Sequence, residues 1–112
     1  MLWTPMLNRM FIVVFITTAN KREAERISRV LLDARLIACA NIIGGIDSIF
    51  WWKGKKEKAR EYLLIGKTRK ELFNKLVKVV RKNHSYEVPE IIAIPIIAGH
   101  KPYLDWITNS TQ

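Results

Sequence analysis

The hydrophobic pattern of the chain changes period several times, and each change predicts a new element. Phe11–Ile16 is an unbroken run of β-branched and aromatic residues, which is typical of a central strand buried on both faces. Apolar residues then recur at helical spacing over Ala24–Ala34, after an Asn20 and Glu23 pair with the spacing of a capping box. The pattern predicts a strand followed by a helix of about four turns.

The stretch from Ala38 to Lys67 predicts two long strands joined by a tight turn over residues 52–55. Gly54 supplies the positive φ that such a turn needs. An extended first arm spans about 50 Å, whereas a compact chain of this length has a diameter of roughly 35 Å. Unless Gly44–Gly45 bends it back, we expect the aromatic tip at residues 50–52 to overhang its own domain and to pair with another copy.

The second half of the chain repeats the sequence of strand and helix signals. Thr68 and Glu71 again have capping-box spacing, and they predict a second helix over the apolar stripe at residues 72–80. The isoleucine-rich run Glu90–Ile97 predicts a further strand, and Pro95 within it cannot donate to a ladder. We therefore place this strand at an edge or a bulge of the sheet, before a short terminal helix.

The predicted order is βαββαβ with a short C-terminal helix. Right-handed crossovers then give an antiparallel sheet with both main helices on one face, the α+β ferredoxin-like arrangement. The opposite face has no helix of its own, and we expect other copies of the chain to cover its apolar surface. We assign residues 10–112 to this single domain and residues 1–9 to an N-terminal extension.

Composition and charge narrow the choice of function. The 112 residues, 49% of them hydrophobic, suffice for one core. The chain has 19 Lys and Arg residues and 10 acidic residues, and the resulting net charge of +9 would suit binding to nucleic acid. Because the basic residues are scattered along the chain, we interpret them as solvated surface residues. A single Cys excludes an internal disulfide framework. Without an export signal or a membrane-length apolar run, we expect a cytoplasmic protein with no membrane partner.

Several motifs, in order, resemble those of the CutA divalent-cation tolerance family. They are Ala38–Asn41, Ile46–Lys55, Lys67–Thr68, His84–Ile91 and Pro102–Trp106. The resemblance runs from about Met10 to Ile107. It implies a homotrimer of ferredoxin-like subunits locked together by the long hairpin, cytoplasmic in prokaryotes. It also implies a role in metal tolerance with binding of Cu²⁺ or related divalent cations, and no catalytic activity is firmly attached to the family. We expect no organic cofactor.

Two positions depart from the family pattern. Ser85 stands where the family's H-P-Y-E motif usually has Pro, and we expect this change to loosen the local backbone. Ile16 stands where some members carry a Cys, so a thiolate copper site is not expected at that position.

A metal site can also be argued from residue chemistry. Because Cu²⁺ favours imidazole and carboxylate ligands, His84 and Glu61 are the candidate metal ligands, with Glu87 or Glu90 as further donors. His84 has an alternative role, since a His at the C-terminus of a helix complements the free carbonyl groups there. His100 is interpreted as a solvated loop residue.

A second group of residues is predicted to line a cleft between subunits. Its members are Cys39, Trp52, Lys67, Tyr86 and Glu90, with Trp106 nearby. Lys67 would be the cationic anchor for an anionic ligand. In the structural alternative, Cys39 is a small core residue and the aromatic side chains contribute buried area at a subunit contact.

Two other functional classes fit parts of the sequence. The nitrogen-regulatory PII proteins share this subunit fold, so a trimer binding a small anionic ligand between subunits is the main alternative. The same element order also describes an RNA-recognition domain, but residues 59–66 of the third strand lack the required aromatic run, and we expect no nucleic-acid partner. No P-loop, G-x-S-x-G or Cys-x-x-Cys motif is present, and we expect no enzymatic activity.

Overall fold

The computed structural model describes residues 10–112, so the predicted extension at residues 1–9 lies outside the described part of the chain. A 3₁₀ turn at Lys70–Leu72 precedes the second helix. The strands and helices follow one another as β1 Phe11–Thr18, α1 Lys21–Asp33, β2 Cys39–Trp52, β3 Lys55–Arg69, α2 Phe73–Asn83, β4 Ile91–Ile96 and α3 Lys101–Ser110.

The four strands form one antiparallel sheet in the order β2-β3-β1-β4. This order confirms the predicted α+β ferredoxin-like arrangement, with β1 in the centre. β4 lies at one edge of the sheet and carries Pro95 opposite Ile12, as predicted from the missing backbone donor.

The core lies between the sheet and the two main helices. Alternate residues of β1 are buried on this side, and they pack with apolar residues of both helices; the set includes Ile12, Val14, Ile16, Ile27, Leu31, Leu76 and Val80. The intervening residues of β1, from Phe11 to Thr17, are only partly buried. Within one copy, β1 is therefore buried on one face, whereas the sequence predicted burial on both.

The two predicted helix caps have different outcomes. At α1 the Glu23 N–H donates to Asn20 Oδ1 at 2.8 Å, which confirms the first cap. The prediction of the second cap is wrong. Thr68 lies within β3 opposite Ile12, and its hydroxyl donates to the Leu36 carbonyl at 2.7 Å. Pairing with β1 extends β3 to Arg69, so α2 begins five residues after Thr68.

The hairpin of β2 and β3 gives the molecule its elongated shape. Its turn has φ of 50° at Lys53 and 79° at Gly54, which fits the tight turn predicted there. A register shift between Ile43 and Ile46 coincides with a φ of 73° at Gly45, marking a bulge. The described chain measures 50 × 27 × 23 Å. The ribbon thus continues beyond the bulge and projects past the helices, as the strand length predicted.

The sheet face opposite the helices is apolar and partly open. Strand register places Ile43, Ile92 and Ile94 on this face, where they are 49%, 52% and 49% exposed. Such a surface is typical of a contact with another protein chain. Its burial in a homotrimer stays a prediction.

Candidate functional site

A cavity of about 900 Å³ lies between the part of the hairpin beyond the bulge and the loop that follows α2. The hairpin contributes residues 47–52 together with Glu57, Lys58 and Glu61, and the loop contributes residues 85–88 and Glu90. β1 adds Thr17 at its end. The cavity is therefore built by elements that are distant in sequence and brought together by the sheet.

Acidic residues are concentrated around this cavity. Five of the chain's ten carboxylates border it, although the chain as a whole carries a net charge of +9. The five are Asp47, Glu57, Glu61, Glu87 and Glu90, and Lys58 is the basic residue among them. Asp47 lies 3.5 Å from Arg60, so its charge is balanced in part. The arrangement favours a cation over an anion in this space.

Glu61 is held in place by the Tyr86 side chain. The residue is 6% exposed, and its Oε2 accepts a 2.8 Å hydrogen bond from the Tyr86 hydroxyl. Burial raises the pKa of Tyr86, and the hydrogen bond to the Glu61 carboxylate and its negative charge raise it further. Tyr86 therefore stays a neutral donor, and Glu61 keeps a fixed carboxylate at the cavity.

His84 is buried beneath the loop, and both of its ring nitrogens have partners. Its side chain is 0% exposed, with Nε2 2.7 Å from the Thr17 carbonyl and Nδ1 accepting the Tyr86 N–H at 3.0 Å. This pattern assigns the proton to Nε2. A metal ion could bind either nitrogen only by displacing a hydrogen bond, so the metal role of His84 stays a prediction without support from this geometry.

Ser85 makes a backbone hydrogen bond that the sequence did not predict, and the expected looser backbone stays a prediction. Its N–H donates to Glu23 Oε2 at 2.7 Å, a bond that Pro at this position could not make. The other oxygen of Glu23 accepts the Ala19 N–H at 3.0 Å. Burial raises the pKa of Glu23, but these hydrogen bonds and nearby His84 outweigh burial and lower it overall.

The residues predicted to line a cleft fall into two groups within one copy. Trp52, Tyr86 and Glu90 border the cavity, together with the candidate ligand Glu61. Cys39 and Lys67 instead face each other across the ladder near the other end of β3. Whether a partner subunit unites the two groups is a prediction.

The group at the far end of the ladder has its own contacts. The Cys39 thiol lies 3.6 Å from the Tyr103 hydroxyl, and the Lys67 amine donates to Asn41 Oδ1. The ring of Trp106 is tilted against that of Tyr103 at 5.3 Å. The hydrogen bond with Cys39, then burial, raises the pKa of Tyr103.

Sequence reasoning missed three acidic residues of this region. The capping-box spacing predicts a cap role for Glu23, and the structure shows that its carboxylate also anchors the loop through Ser85. Asp47 and Glu57 border the cavity, although the sequence analysis assigns them no role. A signal for Glu57 was present, because its spacing of four from Glu61 on one strand puts both side chains on the same face.

Neither a metal cluster nor a membrane span is present in the described part of one copy. Within residues 10–112, no three His, Cys, Asp or Glu side chains lie close enough together to hold a metal ion. No helix in that range is long and apolar enough to cross a membrane.

Residues 12–110 match the model of the CutA1 divalent ion tolerance protein family. The chain belongs to this family. The family resemblance inferred from the hairpin and loop motifs is thereby confirmed.

Sequence relatives and solved structures agree with this assignment. The chain is 46% identical over 99 residues to the divalent-cation tolerance protein CutA of Archaeoglobus fulgidus, covering 88% of this chain and 96% of that protein. The crystal structure of CutA1 from Oryza sativa superposes with a TM-score of 0.90 at 44% identity, covering 93% of this chain and 95% of that one. The structure of the Thermus thermophilus divalent cation tolerance protein also superposes with a TM-score of 0.90 at 42% identity, covering 92% of this chain and 100% of that one.

Some CutA relatives are longer, and their names give different compartments. The chain spans 57% of the chloroplastic CutA 1 protein of Oryza sativa, to which it is 46% identical over 101 residues, or 90% of this chain. It spans 56% of the chloroplastic protein of Arabidopsis thaliana. The Archaeoglobus fulgidus structure is described as that of a periplasmic protein. The expected cytoplasmic location therefore stays a prediction.

Proposed function

We propose that this protein is a homotrimeric, non-enzymatic divalent-cation tolerance protein of the cytoplasm that binds its cation at the acidic cavity, where copies meet. The observation that carries the proposal is the concentration of five carboxylates at one cavity of a chain with net charge +9. Family membership supports it, since relatives from Archaeoglobus fulgidus and Thermus thermophilus are named divalent-cation tolerance proteins.

The donor chemistry of the cavity fits a divalent cation. Carboxylate oxygens suit Mg²⁺, Ca²⁺ and Mn²⁺, and Cu²⁺ binds a given oxygen and nitrogen site more tightly than other first-row divalent ions. Glu57, Glu61, Glu87 and Glu90 are the candidate donors at the cavity. Because no three such side chains in residues 10–112 of one copy lie close enough to hold an ion, one copy would contribute at most two of them. Cu²⁺ is therefore the first ion to test and Mn²⁺ the second, with no organic cofactor.

A second copy of the chain is needed to complete such a site. In residues 10–112 of one copy, no three ligating side chains cluster closely enough for a metal. The open sheet face carries Ile92 and Ile94 at 52% and 49% exposure, and the cavity lies along the hairpin beyond its bulge. Covering the apolar face with other copies would bring further donors to the cavity.

Calorimetric titration with Cu²⁺ and Mn²⁺ tests the proposal. The double variant Glu61→Gln, Glu90→Gln should bind at least about tenfold more weakly than the unaltered protein, because two oxygen donors lose their charge. Glu25→Gln on α1 is the matched control for lost charge and should bind like the unaltered protein. The readout is the dissociation constant of the cation, because a melting temperature would also report any change in the stability of the variant. Equal weakening in the control, or no binding by the unaltered protein, would contradict the proposal.

The PII-like alternative depends on a different residue. It needs the Lys67 amine to meet an anionic ligand, yet this amine already donates to Asn41 and Lys67 does not border the acidic cavity. A nucleotide titration distinguishes the two functions. Nucleotide binding that is lost in Lys67→Met would favour the alternative over a cation site.

A further inference from the structure

More than half of the chain's excess positive charge lies on the two main helices. α1 and α2 together carry eight basic and three acidic side chains, and all three acidic ones belong to α1. One of these three, Glu23, is buried and bound to the loop through the Ser85 N–H. The basic residues are scattered along the sequence, but the fold gathers them on the side of the sheet that the helices cover.

Helical spacing puts a row of cations on each helix, because residues three, four and seven apart lie on one side of a helix. All six residues of these rows are exposed. They are Arg22, Arg26 and Arg29 on α1, and Lys75, Lys78 and Lys82 on α2. We call these six residues the paired rows. The carboxylates of Glu25 and Asp33 lie beside the α1 row, so the surface as a whole stays positive.

Contacts at the two ends of the helices show that the paired rows border the same groove. Arg26 of α1 donates to the Asn83 carbonyl at the end of α2 at 2.7 Å. Lys75 of α2 donates to the Gln112 side chain, which in turn donates to the Ala34 carbonyl directly after α1. Each row therefore lies beside the groove between α1 and α2, with one row on either side.

Two further cations of the same helices lie outside this groove. Asn74 borders a second cavity together with Ala93 and Pro95 of β4, and Arg81 follows it by seven residues. Arg81 therefore lies on the flank of α2 that faces β4. Lys21 is five residues from Arg26, a spacing that places it on the far side of α1. These two residues provide a control for the paired rows.

The paired rows stay accessible in the proposed assembly. The proposed contacts between copies use the open sheet face and the hairpin, whereas α1 and α2 cover the opposite face of the sheet. Four members of the rows take part in no ion pair within residues 10–112; they are Arg22, Arg29, Lys78 and Lys82. Their charges repel one another, and an anion that meets both rows would relieve this repulsion.

The residues of this surface indicate which kind of anion fits. Docking on a membrane needs an exposed apolar face, yet Leu32 is the one large apolar side chain exposed on α1 and α2 as the structure describes them. Single-stranded nucleic acid calls for stacking on aromatic rings, and the paired rows contain none. Contacts to the phosphates of a duplex need only fixed cations. RNA duplexes are recognised through their 2′-hydroxyl groups as well, so duplex DNA is the simpler match.

We propose that the groove between α1 and α2 binds the phosphate backbone of double-stranded DNA, without sequence preference, through the paired rows. Each row spans about 10 Å along its helix, and duplex DNA carries one negative charge per about 1.7 Å of its axis. The expectation of no nucleic-acid partner rested on the scattered sequence positions and on the missing aromatic run of β3, and neither concerns the helices. This inference does not depend on the proposed cation site.

Fluorescence anisotropy with a labelled DNA duplex of about 24 base pairs tests the proposal. The logarithm of the binding constant should fall against the logarithm of the salt concentration with a slope of about −3 to −4, because about four phosphates are neutralised. Two duplexes of unrelated sequence should bind alike, since phosphate contacts carry no sequence information. The single strand of the same length should bind more weakly because its charge density is lower.

Neutralising one cation in each row separates the groove from net charge. Arg29→Gln, Lys82→Gln should bind the duplex at least about tenfold more weakly at about 50 mM salt, with a slope shallower by about two. Lys21→Gln, Arg81→Gln removes the same charge from the same helices and should lose no more than about threefold, with an unchanged slope. All four residues are exposed, so both variants should keep the melting temperature and the assembly mass of the unaltered protein.

Several results would overturn the proposal. Equal losses and equal slopes in the two double variants would show that net charge alone is sensed. Binding to the single strand, to an RNA duplex or to vesicles of phosphatidylglycerol that is tighter than binding to the DNA duplex would assign the surface to another partner. A changed assembly mass in Arg29→Gln, Lys82→Gln would place the rows at a contact between copies. Absence of duplex binding at about 50 mM salt would also contradict the proposal.

Discussion

The Tyr86 hydroxyl donates a 2.8 Å hydrogen bond to Glu61 Oε2, and this bond joins the loop after α2 to the hairpin beside its bulge. The backbone N–H of Tyr86 donates to His84 Nδ1, and His84 Nε2 bonds the Thr17 carbonyl of β1. One chain of hydrogen bonds thus connects β1, the loop and β3. It fixes the wall of the acidic cavity before any ligand binds.

Removing the Tyr86 hydroxyl should destabilise the protein measurably. Tyr86→Phe leaves the buried Glu61 carboxylate without its donor, and we expect a loss of about 1.5–3 kcal/mol in the free energy of unfolding. Guanidinium unfolding at fixed protein concentration measures this loss. Tyr103→Phe, at a residue 41% exposed, is the matched control and should cost less than about 0.5 kcal/mol. Equal effects of the two substitutions would contradict the role given to the Tyr86–Glu61 bond.

Placing Pro at position 85 should lower stability in this chain. Ser85→Pro removes the N–H that donates to Glu23 at 2.7 Å, a charge-assisted bond worth about 1.5–3 kcal/mol. Proline offsets about 0.4–1 kcal/mol of this by restricting the unfolded chain. The net result should be a lower melting temperature, while Ser85→Ala, which keeps the N–H, should lie closer to the unaltered protein. A higher melting temperature for Ser85→Pro would contradict this account.

Glu23 should make stability depend on acid pH. Its pKa in the folded state lies below the ordinary value of 4.5, so the unfolded state takes up a proton first as the pH falls. Its contribution is therefore complete above pH 4.5 and is lost as the pH falls through the folded pKa. Glu23→Gln places an amide N–H₂ against a backbone N–H donor. The substitution should lower the free energy of unfolding by about 1–3 kcal/mol at pH 7.

Urea unfolding between pH 7 and pH 3 tests this dependence. The difference between the unaltered protein and Glu23→Gln should shrink below pH 4.5. Glu25→Gln on the same helix controls for the loss of one negative charge. A difference that stays constant down to pH 3 would show that the Glu23 carboxylate is not preferentially ionised in the folded protein.

A charge on the open sheet face should disrupt assembly. Ile94 is 49% exposed in one copy, and Ile94→Lys would place an ammonium group in the proposed contact between subunits. We expect the dissociation constant of the assembly to rise by at least about tenfold, as measured by analytical ultracentrifugation. Leu32→Lys, at a residue 39% exposed on α1, should leave the assembly unchanged. Loss of assembly in both variants would remove the open face from the proposed contact.

Much of the fold could be predicted from local patterns. The Asn20 cap, the turn at Lys53 and Gly54, and the edge position required by Pro95 each depend on residues close in sequence. Because these signals are strong and mutually consistent, they indicate the ferredoxin-like order without knowledge of any tertiary contact.

The candidate site was harder to predict because its contacts are distant in sequence. Thr68 has the spacing of a helix cap, but pairing with β1 keeps it in a strand. His84 follows a helix, yet β1 and the loop bury it and occupy both of its nitrogens. Ser85 gains a partner 62 residues away. Such partners arise from tertiary contacts between distant segments, which the local sequence does not encode.

The proposed sharing of sheets by three copies is tested most directly by the assembly mass in solution. Light scattering at micromolar concentration, with and without added Cu²⁺, should give three times the 13.1 kDa of one chain in both conditions. Near-ultraviolet circular dichroism of the same samples reports whether the chain is folded. A folded, stable species of 13.1 kDa would contradict the account, since the open face and the cavity would then exist without a partner.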